Sequence, residues 1–201
     1  MSDTPLLIAG LGNPGAEYAR NRHNAGFMAL DVIHASYVFK PWRTRFEGLL
    51  SEGTLGKRKT YLLKPMTYMN DSGRSVGAAA RFFKLVPDAI VVMHDEIDLA
   101  AAKLKAKTGG GDAGHNGLRS ITATLGPDYR RVRIGVGKPE GAGRAHGHVL
   151  QNFSKADEDW LIPMLSAIAE ATPMLAKDDD VGFMNKVALI LNPPQKKPKE
   201  E

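Results

Sequence analysis

Near the start of the chain, a short apolar run at residues 6–9 leads directly into a glycine-rich turn at residues 10–15, Gly-Leu-Gly-Asn-Pro-Gly. The turn matches G-x-G-x-x-G, the phosphate-binding pattern of dinucleotide folds. That fold also requires the turn to open a helix, and an acidic residue about 20 positions later at the end of a second strand. Here Pro14 occupies the turn, and the nearest candidate acid, Asp31, lies within an apolar helical pattern. We therefore interpret the segment as a strand and turn that carry a different kind of site.

The composition of the chain favours one compact domain. Its 201 residues are 43% hydrophobic and 24% charged, which is enough apolar side chain to form a sizeable core. We expect this domain to span residues 1–192. The segment 193–201, rich in proline and lysine, is expected to be a disordered tail.

The cysteine content and the first residues of the chain indicate the expected cellular compartment. The chain has no cysteine, which excludes disulfides, thiolate zinc sites and a cysteine nucleophile. The first residues lack the basic and apolar regions of a signal peptide. No run approaches the roughly 18 apolar residues of a membrane-spanning helix. We expect a cytoplasmic protein without membrane attachment.

Basic residues are concentrated in the middle of the chain. Residues 101–150 carry nine lysines and arginines against three acids, whereas residues 151–201 carry six against nine. Such a basic segment is typical of a surface that binds the phosphates of a nucleic acid. A solvated strand face whose charges are balanced by neighbours is an equally good interpretation of the charge alone.

Hydrophobic periodicity predicts alternating strands and helices. The predicted strands lie near residues 5–10, 47–54, 60–64, 89–93, 104–106 and 131–137. The predicted helices lie near residues 23–38, 71–84, 118–125, 155–176 (interrupted by Pro163) and 181–191, with a Gly/His loop at 141–148. This pattern predicts an α/β fold, a three-layer sandwich with a mixed, mostly parallel central sheet flanked by helices. The adjacent segments 47–54 and 60–64 are expected to form a hairpin.

Polar side chains gather where the predicted strands end. Asn13 follows the first strand, Asn70 follows the loop after Pro65, and Asp95 lies in the His-Asp-Glu triplet after the buried strand. In open α/β sheets, ligands bind at the carboxyl ends of the strands. We expect these groups to converge there, with His23 at the start of the helix that covers this edge.

His23 and Asp95 form the best candidate catalytic pair. A histidine can accept a proton near neutral pH, and a carboxylate on its other ring nitrogen fixes the tautomer and stabilises the imidazolium. Taken singly, each residue is better explained by helix or turn capping.

A water molecule is the best candidate for the nucleophile. It has no G-x-S-x-G motif and no cysteine, which disfavours a covalent acyl-enzyme. A metal could use His23, His94, Asp95, Glu96 or His115, but no recognised ligand spacing is present. We expect no metal and no cofactor.

Several other residues admit two interpretations. Asn13, Asn70 and Asn116 could hold a water, a peptide group or an oxyanion, or could simply favour turns. The glycines between residues 109 and 117 form an anion-binding loop or a mobile lid. Lys107 and Arg133 suit a phosphate clamp or one face of an edge strand.

Four motifs, in this order, resemble those of bacterial-type peptidyl-tRNA hydrolases. They are G-L-G-N-P-G-x-x-Y-x-x-x-R-H-N-A-G, M-T-Y-M-N-x-S-G, H-D-E-I-D-L and G-G-G-x-x-G-H-N-G-L, and they span about residues 6–137. The resemblance implies a monomeric, metal-free α/β enzyme. Its expected partner is peptidyl-tRNA, whose ester between the peptide and the 3′ ribose it would hydrolyse.

The resemblance also implies residue roles. His23 matches the general base, Asp95 the carboxylate that keeps it basic, and Asn13 the residue that separates blocked from unblocked aminoacyl ends. Lys107 and Arg133 match a clamp on the tRNA 5′ phosphate. The remaining matched positions contact substrate: Tyr18, Tyr68, Met69, Asn70, His115 and Asn116. Segments 109–117 and 138–150 match mobile walls of the cleft.

Two departures from the family pattern are small. Tyr68 stands where many members have phenylalanine, and Asp112 places a negative charge in the glycine loop, where it is expected to weaken phosphate contact. Two rival classes are a catalytically silent RNA-binding relative and a metallopeptidase. The intact His23, Asp95 and Asn13 argue against the first, and the missing ligand spacing against the second.

Overall fold

The structure is a computed structural model that describes residues 4–139 and 144–194. Seven strands form one sheet in the order β2-β3-β4-β1-β5-β7-β6. Their bounds are β1 Leu6–Gly10, β2 Arg43–Arg45, β3 Gly48–Leu55, β4 Arg58–Pro65, β5 Ile90–Glu96, β6 Leu104–Thr108 and β7 Arg130–Gly135. The four central strands run parallel, while β2, β3 and β6 add antiparallel pairs at the two sides. The predicted mixed sheet and the hairpin of β3 and β4 are confirmed.

Helices cover both faces of this sheet. Their bounds are α1 Ala25–Ser36, α2 Ser72–Phe83, α3 Asn116–Leu125, α4 Ala145–Val149, α5 Glu158–Leu175 and α6 Asp180–Leu191. One core joins α1, α5 and α6 to one face, and a second core joins α2 and α3 to the other. The predicted three-layer sandwich is confirmed.

The central strands are buried on both faces, which is why they appear in the sequence as continuous apolar runs. In β1, Ile8 points into the first core and Ala9 into the second. In β5, Met93 and Val92 divide in the same way. Each fully buried side chain of the size of Ile or Met contributes about 1.5–3 kcal/mol, so the paired cores hold this part of the sheet rigid.

Two local predictions were wrong. The buried strand does not stop at residue 93: β5 continues to Glu96 and is buried throughout, because Asp95 and Glu96 pair there with side chains from other elements. Pro163 does not interrupt the fifth helix, since α5 runs through both Pro163 and Pro173. Each proline removes a helix hydrogen bond, but burial of residues such as Met164 and Ile168 outweighs that loss.

The predicted loop at 141–148 is only partly described. Residues 140–143 lie outside the described part, and residues 145–149 form α4 rather than loop. The buried Val149 side chain and a 3.3 Å contact between His148 Nε2 and the Val136 carbonyl anchor this short helix. Most of the predicted tail, residues 195–201, also lies outside the described part. Among the described residues, none of the helices combines the length and apolarity needed to cross a membrane.

Candidate active site

The candidate site lies where β1 and β5 end, and two glycines bring the first helix onto this edge. A Cβ on Gly10 would lie 2.3 Å from the Gly26 carbonyl oxygen, and a Cβ on Gly26 would lie 2.3 Å from the Leu11 nitrogen. The Phe27 amide donates to the Leu11 carbonyl at 3.1 Å. This close approach of the two backbones places the turn before α1 over the end of β5.

His23 lies in that turn, a short 3₁₀ helix spanning Arg22–Asn24. Its Nδ1 is 2.9 Å from Oδ1 and 3.0 Å from Oδ2 of Asp95. Both side chains are buried. Because an ionised carboxylate can only accept hydrogen bonds, Nδ1 carries a proton, and in the neutral ring Nε2 keeps its lone pair.

His115 supplies a second hydrogen bond to the same carboxylate. It is the N-cap residue of α3, where its Nδ1 accepts the amide hydrogens of Gly117 at 3.2 Å and Leu118 at 3.4 Å. The proton of this ring must therefore be on Nε2, which donates to Asp95 Oδ1 at 3.0 Å. With both nitrogens occupied, His115 holds the carboxylate and has no lone pair for base chemistry.

The charge state of Asp95 follows from these contacts. Burial opposes ionisation and by itself raises the pKa of Asp95. The His115 and His23 rings and their hydrogen bonds outweigh burial and hold the pKa well below its usual range. Asp95 is thus a fixed negative charge beside His23.

A cavity of about 200 Å³ opens beside this pair. Its lining includes His23, Asp95, Glu96, His115 and Asn116. Since His23 uses Nδ1 for Asp95, Nε2 is the ring atom left to meet a molecule in the cavity. The arrangement can therefore remove a proton from a water or another small donor bound there.

Three of these residues also have the spacing of a possible metal site. Ligand atoms of His23, Asp95 and His115 all lie within 4.8 Å of one another. However, His115 Nε2 holds the proton that its cap bonds force onto it, and a metal needs a free lone pair there. Metal binding would thus require breaking the N-cap of α3, so the geometry favours proton chemistry.

Asn13 is fixed through its oxygen. Its Oδ1 accepts the Met69 amide at 2.8 Å, and its backbone exchanges two hydrogen bonds with the Asn24 side chain at 2.9 and 3.0 Å. The Nδ2 group is then the part of Asn13 available to a ligand, as a donor. Asn24 was not singled out from the sequence, although it directly follows His23 in the first motif.

The other predicted substrate-contacting residues are placed unevenly. Asn116 lies at the first turn of α3 and lines the cavity with His23. Met69 is buried against Asn13, whereas Tyr68 is 62% exposed beside a neighbouring groove that Pro14 also lines. Tyr18 and Asn70 lie on outer turns. Neither has a hydrogen bond to His23 or Asp95 among the described residues.

Lys107 and Arg133 lie on one face of the β6–β7 pair. In the register of these strands Lys107 is opposite Arg131, and Lys105 is opposite Arg133. Burial, followed by the nearby charges of Arg133 and Arg131, lowers the pKa of Lys107. Arg133 is oriented by Glu96, whose carboxylate accepts its Nε–H at 3.0 Å. The two cations are close enough to repel each other.

The side chain of Arg131 binds the backbone of the glycine loop, and Arg131 was not singled out from the sequence. Its buried guanidinium donates to the carbonyls of Gly111 at 2.8 Å and Gly110 at 2.9 Å. Asp112 lies 3.4 Å from Arg131 and accepts the Thr122 hydroxyl at 2.7 Å. The charge of Asp112 is therefore partly compensated within the protein, and its effect on phosphate contact stays a prediction. Because side chains alternate along a strand, Arg131 lies on the same face of β7 as Arg133. This alternation is the sequence signal that could have identified Arg131.

Comparison with known proteins gives a consistent result. A family model described as "Peptidyl-tRNA hydrolase" matches residues 7–199. A curated peptidyl-tRNA hydrolase of Parvibaculum lavamentivorans is 57% identical over 196 residues, 96% of each chain. One from Acidiphilium cryptum is 58% identical over 185 residues, 92% of this chain and 96% of that protein. The crystal structure of peptidyl-tRNA hydrolase from Acinetobacter baumannii superposes with a TM-score of 0.87 at 36% identity, covering 93% of this chain and 96% of the other.

Proposed function

The chain belongs to the peptidyl-tRNA hydrolase family, and from this premise we propose that His23 acts as the general base in hydrolysis of the ester between peptide and tRNA. The observation that carries the proposal is the orientation of one imidazole. Nδ1 of His23 is held by Asp95, and the unprotonated Nε2 remains for a water in the cavity.

The reaction begins with a water beside His23 Nε2, held with help from Asn116 or Asn70. The water loses its proton to Nε2 as its oxygen attacks the ester carbonyl. The imidazolium that forms is stabilised by Asp95, which stays ionised because its pKa is far below neutrality. The 2′,3′-diol of the ribose leaves, taking back a proton. General-base assistance of about 10²–10⁴-fold, added to positioning, is adequate for an ester.

We assign to Asn13 the distinction between blocked and unblocked substrates. With Oδ1 engaged by Met69, its Nδ2–H can donate to the carbonyl of the first peptide group. An unblocked aminoacyl end has no such carbonyl and brings an ammonium toward a donor. Tyr18, Tyr68 and Met69 are assigned to the wall along which the peptide lies.

Lys107 and Arg133 are assigned to the tRNA 5′ phosphate. A phosphate between the two side chains would relieve their mutual repulsion and gain charge-assisted hydrogen bonds. Bound there, the acceptor stem would direct the 3′ ester toward the cavity beside His23. We further propose that the enzyme acts as a monomer in the cytoplasm, without metal or cofactor.

The test compares release of N-acetylated and unblocked amino acids from tRNA, in the presence of a chelator. Wild type should cleave the blocked ester and spare the unblocked one. His23→Ala should lose at least about 100-fold of the activity. His34→Ala is the matched control, because His34 lies on the outer part of α1 and contacts Trp42 and the Lys40 carbonyl. Full activity of His23→Ala would refute the proposed mechanism.

Metal-dependent hydrolysis is the second candidate, favoured only by the proximity of His23, Asp95 and His115. The same assay separates the two. Activity that disappears in chelator and returns with added zinc would support the metal site, whereas unchanged activity supports the general base.

A further inference from the structure

His94 precedes Asp95 in β5 and has no part in the mechanism above. Its side chain is 1% exposed, which is rare for an imidazole unless the ring is fully hydrogen-bonded. Strand alternation directs it to the face opposite Asp95, toward the start of α3. The ring of His94 meets the ring of His115 edge to face, with centroids 5.0 Å apart.

The two nitrogens of His94 have different surroundings. Nδ1 donates to the carbonyl oxygen of Asp95 at 2.7 Å, so the proton is on Nδ1. Nε2 is buried and has no hydrogen-bond partner among the described residues. The ring is therefore a neutral imidazole in one fixed tautomer.

Its surroundings also keep His94 neutral. Burial lowers the pKa of His94 to about 3, and the neighbouring His115 and Arg131 side chains act in the same direction against the opposing effect of Asp95. The charged or titratable groups around the ring come from three elements, β5, β7 and the start of α3: Asp95, Glu96, Arg131, Arg133 and His115.

We propose that His94 is a positioning residue for the reaction, which orients the carboxylate of Asp95 through its hydrogen bond to the Asp95 carbonyl. This inference rests on the proposed role of His23. The carboxylate of Asp95 must point at Nδ1 of His23 and Nε2 of His115 together. By holding the main chain of Asp95, the hydrogen bond from His94 Nδ1 restricts the directions in which that carboxylate can point.

Two amide substitutions separate the hydrogen bond from the bulk of the ring. In His94→Asn, the amide lies where Nδ1 was and can still donate to the Asp95 carbonyl. In His94→Gln, the amide lies nearer the place of Nε2 and that bond is lost. We expect kcat to fall at least about tenfold in His94→Gln and to stay within about threefold in His94→Asn, because small displacements of catalytic groups are costly. KM should change little in either variant.

A structural role alone would not give that pattern, and a second readout confirms the distinction. Long-range ¹⁵N–¹H spectra should show His115 protonated on Nε2 in wild type and in His94→Asn, with this signal broadened or shifted in His94→Gln. Urea midpoints of both variants show separately how much of any activity loss comes from lower stability. If His94→Gln does not fold, His94→Asn decides: retained kcat and an unchanged His115 signal support the proposal, and a tenfold loss overturns it.

The proposal is wrong if folded His94→Gln keeps wild-type kcat, or if both variants lose activity equally. That outcome differs from failure of the proposed function. An active His23→Ala refutes the general base, whereas an inactive His23→Ala beside a fully active His94→Gln refutes only the role of His94.

Discussion

Buried charges occur at both ends of the sheet, and the two clusters are built differently. At the amino ends of the strands, Arg58 and Arg130 bind Asp178 and Asp180, and each arginine also donates to a backbone carbonyl. At the carboxyl ends, one carboxylate is shared by two imidazoles. The first cluster pairs two guanidinium groups with two carboxylates. The second leaves Nε2 of His23 free to meet a molecule in the cavity, and the proposed proton transfer depends on that difference.

The largest expected effect is on chemistry at the carboxyl-end cluster. Asp95→Asn removes the charge that stabilises the imidazolium, and its amide can turn an N–H toward His23. We expect kcat to fall by about 10²–10⁴-fold in a protein that remains folded. Steady-state cleavage of N-acetylated aminoacyl-tRNA measures this effect. A variant with more than a tenth of wild-type kcat would contradict the assigned role of Asp95.

The matched substitution at the other end is Arg130→Ala. It leaves Asp180, whose side chain is 24% exposed, without its arginine, and losing charge-assisted hydrogen bonds of this kind costs about 1.5–3 kcal/mol. Urea unfolding should show that loss, while kcat of the folded fraction stays close to wild type. A large fall in kcat with unchanged stability would show that the two clusters do not divide their roles as described.

Arg131 lies between these extremes, since it stabilises a loop beside the site. Arg131→Lys can replace one of the bonds to Gly110 and Gly111 but not both. We expect KM to rise about five- to tenfold with a smaller change in kcat, in line with about 1–1.4 kcal/mol for the lost hydrogen bond. Arg119→Lys, at an exposed position on α3, is the control. Equal KM values in the two variants would remove Arg131 from loop positioning.

The last expected effect is a dependence of stability on pH. The pKa of His94 is about 3 in the folded chain, below the ordinary 6.5, so the unfolded chain binds this proton more tightly. Its contribution to stability is therefore fully present above pH 6.5 and is lost as the pH falls from 6.5 toward 3, by at most about 1.4 kcal/mol per pH unit. Urea midpoints at pH 7.5, 6 and 5 should fall less steeply in His94→Asn than in wild type. Identical slopes would contradict the neutral state of His94.

The sequence predicted the elements that depend on periodicity and on strand ends. The continuous apolar runs of β1 and β5 and the polar groups after them led directly to the sheet and to the pairing of His23 with Asp95. The tautomer of His115 could not be predicted, because it depends on cap bonds to Gly117 and Leu118 that only the folded backbone provides.

Other features escaped sequence reasoning for physical reasons of the same kind. Polar residues usually end a buried strand, so the continuation of β5 to Glu96 was hidden until its partners were known. Proline usually breaks a helix, and the continuity of α5 through Pro163 reflects tertiary packing rather than local preference. The inward direction of Arg131 depends on the carbonyls of the glycine loop, which lie about 20 residues away along the chain.

The most direct test of the account is the single-turnover rate of ester cleavage with His23→Ala at saturating enzyme, together with the Kd for N-acetylated aminoacyl-tRNA. This design separates the chemical step from tRNA binding. The account predicts a rate at least about 100-fold below wild type with Kd unchanged within about twofold. A rate within about threefold of wild type, or a loss explained entirely by weaker binding, would contradict the assignment of His23 as the general base.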